Sequence, residues 1–198
     1  MDLVITTREL DRLIRADSIK PQDLTEMPFD DIFGAGSGAA VIFGTTGGVM
    51  EAALRSAYFL VTGSNPDPDA FSDVRGMDGW KEAKFNLAGT ELKVAVVNGL
   101  GNARKLVEAV RKGTVAYDFV EVMACPGGCV GGGGQPIHDG EELAFDRGRS
   151  LYDLDAASEI RYSHENRDVK TLYDEYFGTP MSHKAHQLLH TEHLPNKH

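Results

Sequence analysis

The stretch 121–136 reads EVMACPGGCVGGGGQP and contains the only two cysteines of the chain, Cys125 and Cys129. A run of four glycines, Gly131 to Gly134, begins two residues after the second cysteine. Thiolates are soft ligands that favour iron–sulfur clusters, zinc and Cu(I). Glycine removes the side chains that would keep a backbone away from a neighbouring group. The stretch therefore predicts a site at which the main chain lies close to a large object.

The two cysteines also allow simpler roles, which stay open at this point. The spacing is C-x₃-C without a second cysteine pair, whereas a zinc knuckle prefers C-x₂-C with further Cys or His partners. A complete metal site therefore cannot be built from the cysteines of this chain alone. Both residues could be buried thiols, which pack as small hydrophobic side chains. They could also form a disulfide, although a C-P-G-G-C loop is tight for the required Cα separation.

The composition excludes several classes of protein. The chain has 198 residues, of which 41% are hydrophobic, and this suits one domain or one large lobe over residues 1–198. Its formal net charge of −10 argues against nucleic acid as a partner, because such binding needs a basic surface. We expect no membrane span and no signal peptide, since no long apolar run is present. Two cysteines are too few for a secreted disulfide scaffold, so we expect a reducing cytoplasm.

The apolar pattern predicts an α/β fold with a small mixed sheet flanked by helices. Residues 49–62 form the clearest helix, with Gly48 as its cap. Residues 81–86 and 91–98 resemble the two strands of an antiparallel hairpin, and residues 117–123 a third strand that ends before the cysteines. Strand ends of this kind are where α/β sheets usually place their chemistry. Further elements are expected at 3–6 (a strand), from Thr7 (a helix with that residue as cap), at 100–112 (a helix capped by Asn102), and at 143–154 and 170–177 (two helices).

Two other segments invite a binding role. Residues 32–48, IFGAGSGAAVIFGTTGG, contain six glycines in seventeen positions. The segment lacks the G-K-[ST] ending of a phosphate loop. Interleaved apolar residues argue against a floppy loop; they are Ile32, Phe33, Val41, Ile42 and Phe43. Near the C-terminus, histidines recur at three- and four-residue steps, which places them on one face of a helix. That pattern suits a metal site, but a solvated terminal helix accounts for it more simply; the residues are His183, His186, His190 and His193.

The central stretch resembles the third signature motif of the iron-only (FeFe) hydrogenases. The similarity follows the pattern E-x-M-A-C-P-G-G-C-x-x-G-G-G-Q-P across sixteen positions. The segments FGTTGGVMEAALR and SHKAHQLLHT are also similar to this family, the second being a docking helix there. The resemblance covers essentially the whole chain and corresponds to the C-terminal half of the hydrogenase catalytic domain.

The resemblance implies a cofactor and a role for five residues. The H-cluster of the family joins a four-iron, four-sulfur cubane through a cysteine to a two-iron unit with CO, cyanide and azadithiolate ligands. By position, Cys125 corresponds to a cubane ligand and Cys129 to the bridging cysteine. Met123 corresponds to a methionine packed beside the two-iron unit. Phe43 and Gly44 correspond to residues that line its pocket.

The resemblance also implies a partner, because two cysteine motifs of the family are missing. Neither T-S-C-C-P nor P-C-x-x-K-x-x-E occurs in the chain. A second hydrogenase chain would supply them together with ferredoxin-like clusters, and a ferredoxin or an NAD(P)H-linked protein would exchange electrons with it. The expected reaction is the reversible reduction of protons to H₂. The alternatives are a hydrogenase-like iron–sulfur assembly protein, a sensory hydrogenase subunit, and a structural fragment without metal.

Overall fold

A three-stranded mixed sheet lies at the centre of the computed structural model, which describes residues 3–28 and 35–190. Its strands are β1 (Trp80–Leu87), β2 (Thr90–Asn98) and β3 (Phe119–Met123). β1 and β2 form an antiparallel hairpin, and β3 pairs with β2 in parallel. The predicted hairpin, the third strand and the mixed sheet are confirmed.

Helices of very different length surround this sheet. The described residues include α1 (Thr7–Ala16), α2 (Gly38–Val41), α3 (Gly48–Thr62), α4 (Leu100–Arg111), α5 (Ala144–Ala157), α6 (Arg167–Leu172) and α7 (His183–Leu189). A π-helical turn, Tyr173–Phe177, continues α6, so the helix predicted at 170–177 is two elements. In the part of the chain that is described, no helix has the length and apolar character needed to cross a membrane.

The helices and the sheet form stacked layers. On one face of the sheet, α3 contributes Met50 and Leu54 to a core with strand residues such as Val96. On the other face, α4 packs through Leu106. Behind α3, the short α2 and the longer α5 form a smaller apolar cluster around Ile42. The predicted packing of the helix at 49–62 on a sheet is confirmed, but the predicted stripe is only partly right. Met50 and Leu54 lie outside it, and Leu60, which was part of it, is 78% exposed.

The N-terminal segment differs from the prediction. Residues 3–6 form no regular element and pair with no strand among the described residues. A β-rich run becomes a strand only when a neighbour accepts its backbone hydrogen bonds. The cap of α1 is Thr6 and not Thr7. Its hydroxyl accepts from the Glu9 amide while the Glu9 carboxylate accepts from the Thr6 amide, which is a capping box.

Two other helix caps also differ from the prediction. Gly47, and not Gly48, precedes α3, and its φ of 87° lies in the left-handed region. Gly99, and not Asn102, precedes α4. Asn102 lies within the first turn of that helix, where its amide donates to the Asn98 carbonyl at 2.9 Å. The side chain that could have capped the helix is therefore engaged with the preceding strand.

Two predictions concern residues beyond the described part of the chain. Ile32 and Phe33 of the first glycine-rich segment lie outside it, as does His193. Among the described residues, α7 ends at Leu189, and His190 follows it in an extended conformation. One helical face therefore carries His183 and His186 but does not extend to His190.

Candidate metal centre

The parallel pair of strands ends at the two cysteines. Asn98 and Met123 are the last paired residues of β2 and β3, and the Gly99 amide donates to the Met123 carbonyl at 2.9 Å. Beyond this point the chain turns, with Cys125 half-buried and Cys129 exposed. Both are free thiols, so the disulfide alternative is wrong. The exposure of Cys129 also contradicts the alternative of two buried thiols.

The end of β2 holds the turn between the cysteines. The Asn98 side-chain oxygen accepts a hydrogen bond from the Gly127 amide at 3.0 Å, while its NH₂ group donates to the Asp78 carbonyl at 2.8 Å. The Cys125 carbonyl accepts from the Gly128 amide at 3.0 Å. Asn98 is only 3% exposed, so these bonds are shielded from water. The turn is therefore fixed by a buried amide side chain of the neighbouring strand.

The turn before α3 packs directly on the cysteine turn. The Thr46 amide donates to the Gly127 carbonyl at 3.0 Å. Gly128 has a φ of 91°, and a Cβ atom there would lie 2.8 Å from the Thr46 nitrogen and 3.1 Å from the Gly44 oxygen. Only glycine allows this approach. The structure thus brings Gly44 against the cysteine turn, and the adjoining Phe43 is 46% exposed.

Remote side chains hold the glycine run that follows Cys129. The Arg147 guanidinium of α5 donates to the Val130 carbonyl at 3.0 Å and to the Pro136 carbonyl at 2.8 Å, one on each side of the run. The Gln135 side chain donates to the Cys129 carbonyl at 3.0 Å. Arg8 of α1 donates to the Gly133 carbonyl at 2.6 Å. The run borders an open cavity of about 370 Å³.

Glu121 has a structural role that the sequence alone did not reveal. It is 5% exposed and lies on the face of β3 that looks towards α3. Its two carboxylate oxygens accept from the Gly47 amide at 2.6 Å and from the Met50 amide at 2.7 Å. The alternation of the strand carried a signal, because Phe119, Glu121 and Met123 share one face. A charged residue among apolar neighbours on such a face must have buried partners.

Lys81 lies across the sheet from Glu121. Both residues pair with Val96 of the central strand, from opposite sides. Burial lowers the pKa of Lys81 to about 8, against the attraction of Glu121 and Asp78. Burial also raises the pKa of Glu121, while the two amide hydrogen bonds and the charge of Lys81 act in the opposite direction. The surroundings of Lys81 and Glu121, beside the strand that leads to the cysteines, are therefore poorly hydrated.

The residues present fit part of a thiolate-bound cluster. Cys125 and Cys129 offer two soft donors above bare backbone. No group of three or more metal-ligating side chains forms among residues 3–28 and 35–190, so the two thiols gain no third ligand there. The buried Thr46 hydroxyl beside the cysteine turn also has no hydrogen-bond partner in the described part of the chain. The donor set fits half of the four-cysteine shell of a cubane.

An α/β lobe that presents two free thiols on glycine-rich backbone, at the carboxyl end of parallel strands, has the donor set expected of part of a cluster-binding module. Comparison with known families gives the class a name. The model of the iron only hydrogenase large subunit, C-terminal domain, matches residues 1–133, and that of the iron hydrogenase small subunit matches residues 141–196. The chain belongs to the iron-only hydrogenase family, a family of iron–sulfur oxidoreductases.

Individual relatives agree with this assignment. The chain is 50% identical over 195 residues to the NADP-reducing hydrogenase subunit HndD of Solidesulfovibrio fructosivorans, covering 98% of this chain and 33% of that protein. A solved structure of [FeFe]-hydrogenase HydA1 from Chlamydomonas reinhardtii superimposes with a TM-score of 0.76 at 45% identity, covering 96% of this chain and 55% of the other. The chain thus spans about a third of the curated relative and about half of the solved structure.

A relative with a different printed role also matches. The cytosolic Fe-S cluster assembly factor narfl of Xenopus tropicalis is 31% identical over 196 residues, covering 97% of this chain and 41% of that protein. Family membership alone therefore does not distinguish a hydrogen-converting enzyme from an assembly factor.

Proposed function

We propose that this chain is part of the catalytic subunit of an FeFe hydrogenase and contributes two of the four cysteine ligands of its H-cluster. Cys125 would bind the cubane, and Cys129 would bridge it to the two-iron unit. The reaction is the reversible reduction of protons to H₂, in the cytoplasm. When bound, the cluster supplies the redox chemistry, and the protein supplies ligands and surroundings.

One observation carries this proposal. Two free thiols lie on a turn whose backbone is fixed by Asn98 and by the turn before α3, while Cys129 remains exposed. A structural cysteine would be packed inside, and a disulfide would consume both sulfurs. Two free thiols on a fixed backbone suit a role as ligands of a cluster that is completed by groups from outside the chain.

The chain's own residues have distinct parts in this site. Met123 is half-buried at the end of β3, where a thioether can fill irregular apolar space. Phe43 and Gly44 lie in the turn that packs on the cysteine turn, so they would form the opposite wall. Together these residues would exclude water from one side of the two-iron unit. Bare glycine backbone on the other side leaves room for a cubane.

The site requires a second set of ligands, which we assign to a partner hydrogenase chain or to a further segment of the same protein. That part would carry T-S-C-C-P and P-C-x-x-K-x-x-E, as well as the ferredoxin-like clusters. A ferredoxin or an NAD(P)H-linked protein would exchange electrons with those clusters. The exposed apolar residues of the N-terminal segment support such a partner, since Leu3 and Leu13 are 73% and 51% exposed.

A second candidate is a hydrogenase-like assembly factor that does not convert H₂, in keeping with the similarity to narfl. The presence of Met123 beside the cysteine turn favours the enzyme, because the resemblance implies that a methionine there would pack beside a two-iron unit. Infrared spectroscopy of the purified assembly separates the two candidates. An enzyme with an H-cluster shows CO and cyanide bands, whereas a scaffold without those ligands shows none.

Substitution of Cys129 tests the proposed enzyme directly. We expect Cys129→Ala to abolish H₂ evolution in the reconstituted complex, because the cubane would no longer be joined to the two-iron unit. Gly101→Ala in α4 is the control, since a Cβ atom at Gly101 meets nothing within 4 Å and the residue lies outside the cysteine loop. Near-normal H₂ evolution by Cys129→Ala would refute the assignment.

A further inference from the structure

We propose that Glu121 is a positioning residue that locks the two walls of the cluster site together. It lies on the strand that carries Met123 and leads to the cysteines, and its carboxylate binds the turn that carries Phe43 and Gly44. This inference deepens the proposed function and rests on it for its meaning. The bonds that make the lock involve only residues of this chain.

The start of α3 needs a hydrogen-bond acceptor from another element. The first amides of a helix have no partner within the helix. A side chain at the residue before the helix normally accepts from one of them. Gly47 occupies that position, and it has no side chain to do so. A Cβ atom there would lie 2.2 Å from the Val74 carbonyl oxygen, so no residue with a side chain fits.

Glu121 replaces the missing cap from β3. Its two oxygens accept separately from Gly47 and Met50, at 2.6 and 2.7 Å, across 74 and 71 residues of sequence. Hydrogen bonds to a carboxylate are stronger than those between neutral groups, and burial strengthens them further. The positive end of the helix dipole adds to the attraction. One side chain therefore fixes where α3 begins relative to β3.

Short stretches of chain connect these bonds to the site. Cys125 comes four positions after Glu121, and Gly44 three positions before Gly47. The Thr46 amide also donates to the Gly127 carbonyl, so the strand and the turn are joined at two points. If one connection is removed, the strand and the turn can rotate about the other. Of these two connections, only the one through Glu121 is made by a side chain, so it can be removed by substitution without altering the backbone.

The test compares three variants of the 198-residue chain by amide hydrogen exchange and by alkylation of Cys125. Glu121→Gln keeps the size of the side chain but leaves a single acceptor oxygen for two amides. Glu91→Gln changes an exposed carboxylate of β2 whose ion pairs are also exposed. Leu106→Ala weakens the core on the opposite face of the sheet without touching Glu121. It separates a local effect from general loss of stability.

We expect Glu121→Gln to accelerate exchange of the Gly47 and Met50 amides by about tenfold or more. Alkylation of the half-buried Cys125 should accelerate by about threefold. Glu91→Gln should match the wild type, and Leu106→Ala should accelerate exchange across the sheet without singling out these two amides. The proposal is overturned if Glu121→Gln behaves like either comparison variant, or if exchange changes while Cys125 alkylation does not.

The same variant in the reconstituted complex tests whether Glu121 positions the residues around the cluster. We expect Glu121→Gln to shift or broaden the CO and cyanide infrared bands, because Phe43 and Gly44 would no longer be held against the cluster. Unchanged bands would overturn the positioning role. Absence of the bands from the wild-type complex would instead refute the proposed function, whatever the exchange experiment shows.

Discussion

Two regions of this chain handle polar groups in opposite ways. Around Arg55 of α3, three charged side chains are fully buried and paired with one another. Its guanidinium donates to Glu51 at 2.7 Å and to both oxygens of Asp155 at 2.9 Å, and all three side chains are 0% exposed. At the cysteine turn the backbone is fixed, but both sulfurs remain free. The charges of the first region are paired within the chain, whereas the sulfurs of the second remain free to bind a further group.

The contrast shows how the chain separates stability from chemistry. The buried charges join α3 to α5 across 100 residues of sequence, and this holds the helix that starts beside the cysteine turn. Arg75 and Arg161 extend the same network, donating to Glu51 and Asp155 respectively. A scaffold closed in this way can present free thiols without relying on them for stability.

The largest expected effect comes from breaking the closed region. Arg55→Met would leave Glu51 and Asp155 with much of their charge uncompensated, at a cost of about 3–5 kcal/mol. Urea unfolding followed by circular dichroism measures this loss. Arg15→Met is the matched control, because its ion pair with Asp11 is exposed and contributes less than about 0.5 kcal/mol. Equal stability of the two variants would show that the buried network is not what holds the scaffold.

A smaller effect is expected from the open region. Gly128→Ala would force a left-handed backbone and a contact of 2.8 Å with the Thr46 nitrogen, at a cost of about 1–3 kcal/mol. Gly101→Ala in α4 is the control: its Cβ atom would meet no neighbouring atom and alanine suits a helix, so stability should not fall. Iron content after cluster reconstitution of the complex should fall for Gly128→Ala alone. Full iron loading of that variant would show that the close contact of the two turns is dispensable.

The smallest effect concerns the partly buried amine of Lys81, which lies across the sheet from Glu121. The pKa of Lys81 is about 8 in the folded chain against 10.5 for an ordinary lysine. Between these values the unfolded chain binds more protons, so the lysine makes stability rise with pH across this window and level off below it. Allowing for its partial exposure, we expect the free energy of unfolding to gain about 1 kcal/mol between about pH 7.5 and 9.5 relative to Lys81→Met. Parallel curves for the two proteins would contradict the burial of this amine.

Local patterns in the sequence predicted the elements that position the site. The strand-like runs at 81–86 and 91–98, the turn between them and the helical pattern at 49–62 depend on neighbours in sequence, and the hairpin and α3 follow them. The strand predicted at 3–6 is wrong because its pairing depends on a distant neighbour, which a local pattern does not contain. Thr6 was predictable from Glu9 three residues later, although Thr7 offered the same hydroxyl.

Contacts between segments that are distant in sequence could not be predicted from local patterns. The bond between Glu121 and Gly47 joins residues that are 74 positions apart, and nothing in either segment names the other. Asn98 and Arg147 likewise hold the cysteine loop from other elements. The two cysteines were candidates from the sequence itself, whereas their individual roles and the choice of Met123, Phe43 and Gly44 came from resemblance. The structure places Gly44 against the turn between the cysteines. The roles of these five residues as ligands and walls remain predictions for the experiments above.

The joint between the turn before α3 and the cysteine turn is made by main-chain atoms, the Thr46 amide and the Gly127 carbonyl. Every amino acid except proline can supply that amide, and every amino acid can supply that carbonyl. The joint is therefore buffered against mutational drift in the side chains that flank it. Its vulnerability is concentrated at Gly127 and Gly128, which both have a left-handed backbone. A methyl group on Gly127 would lie 3.2 Å from Met77, and one on Gly128 would collide with the facing backbone.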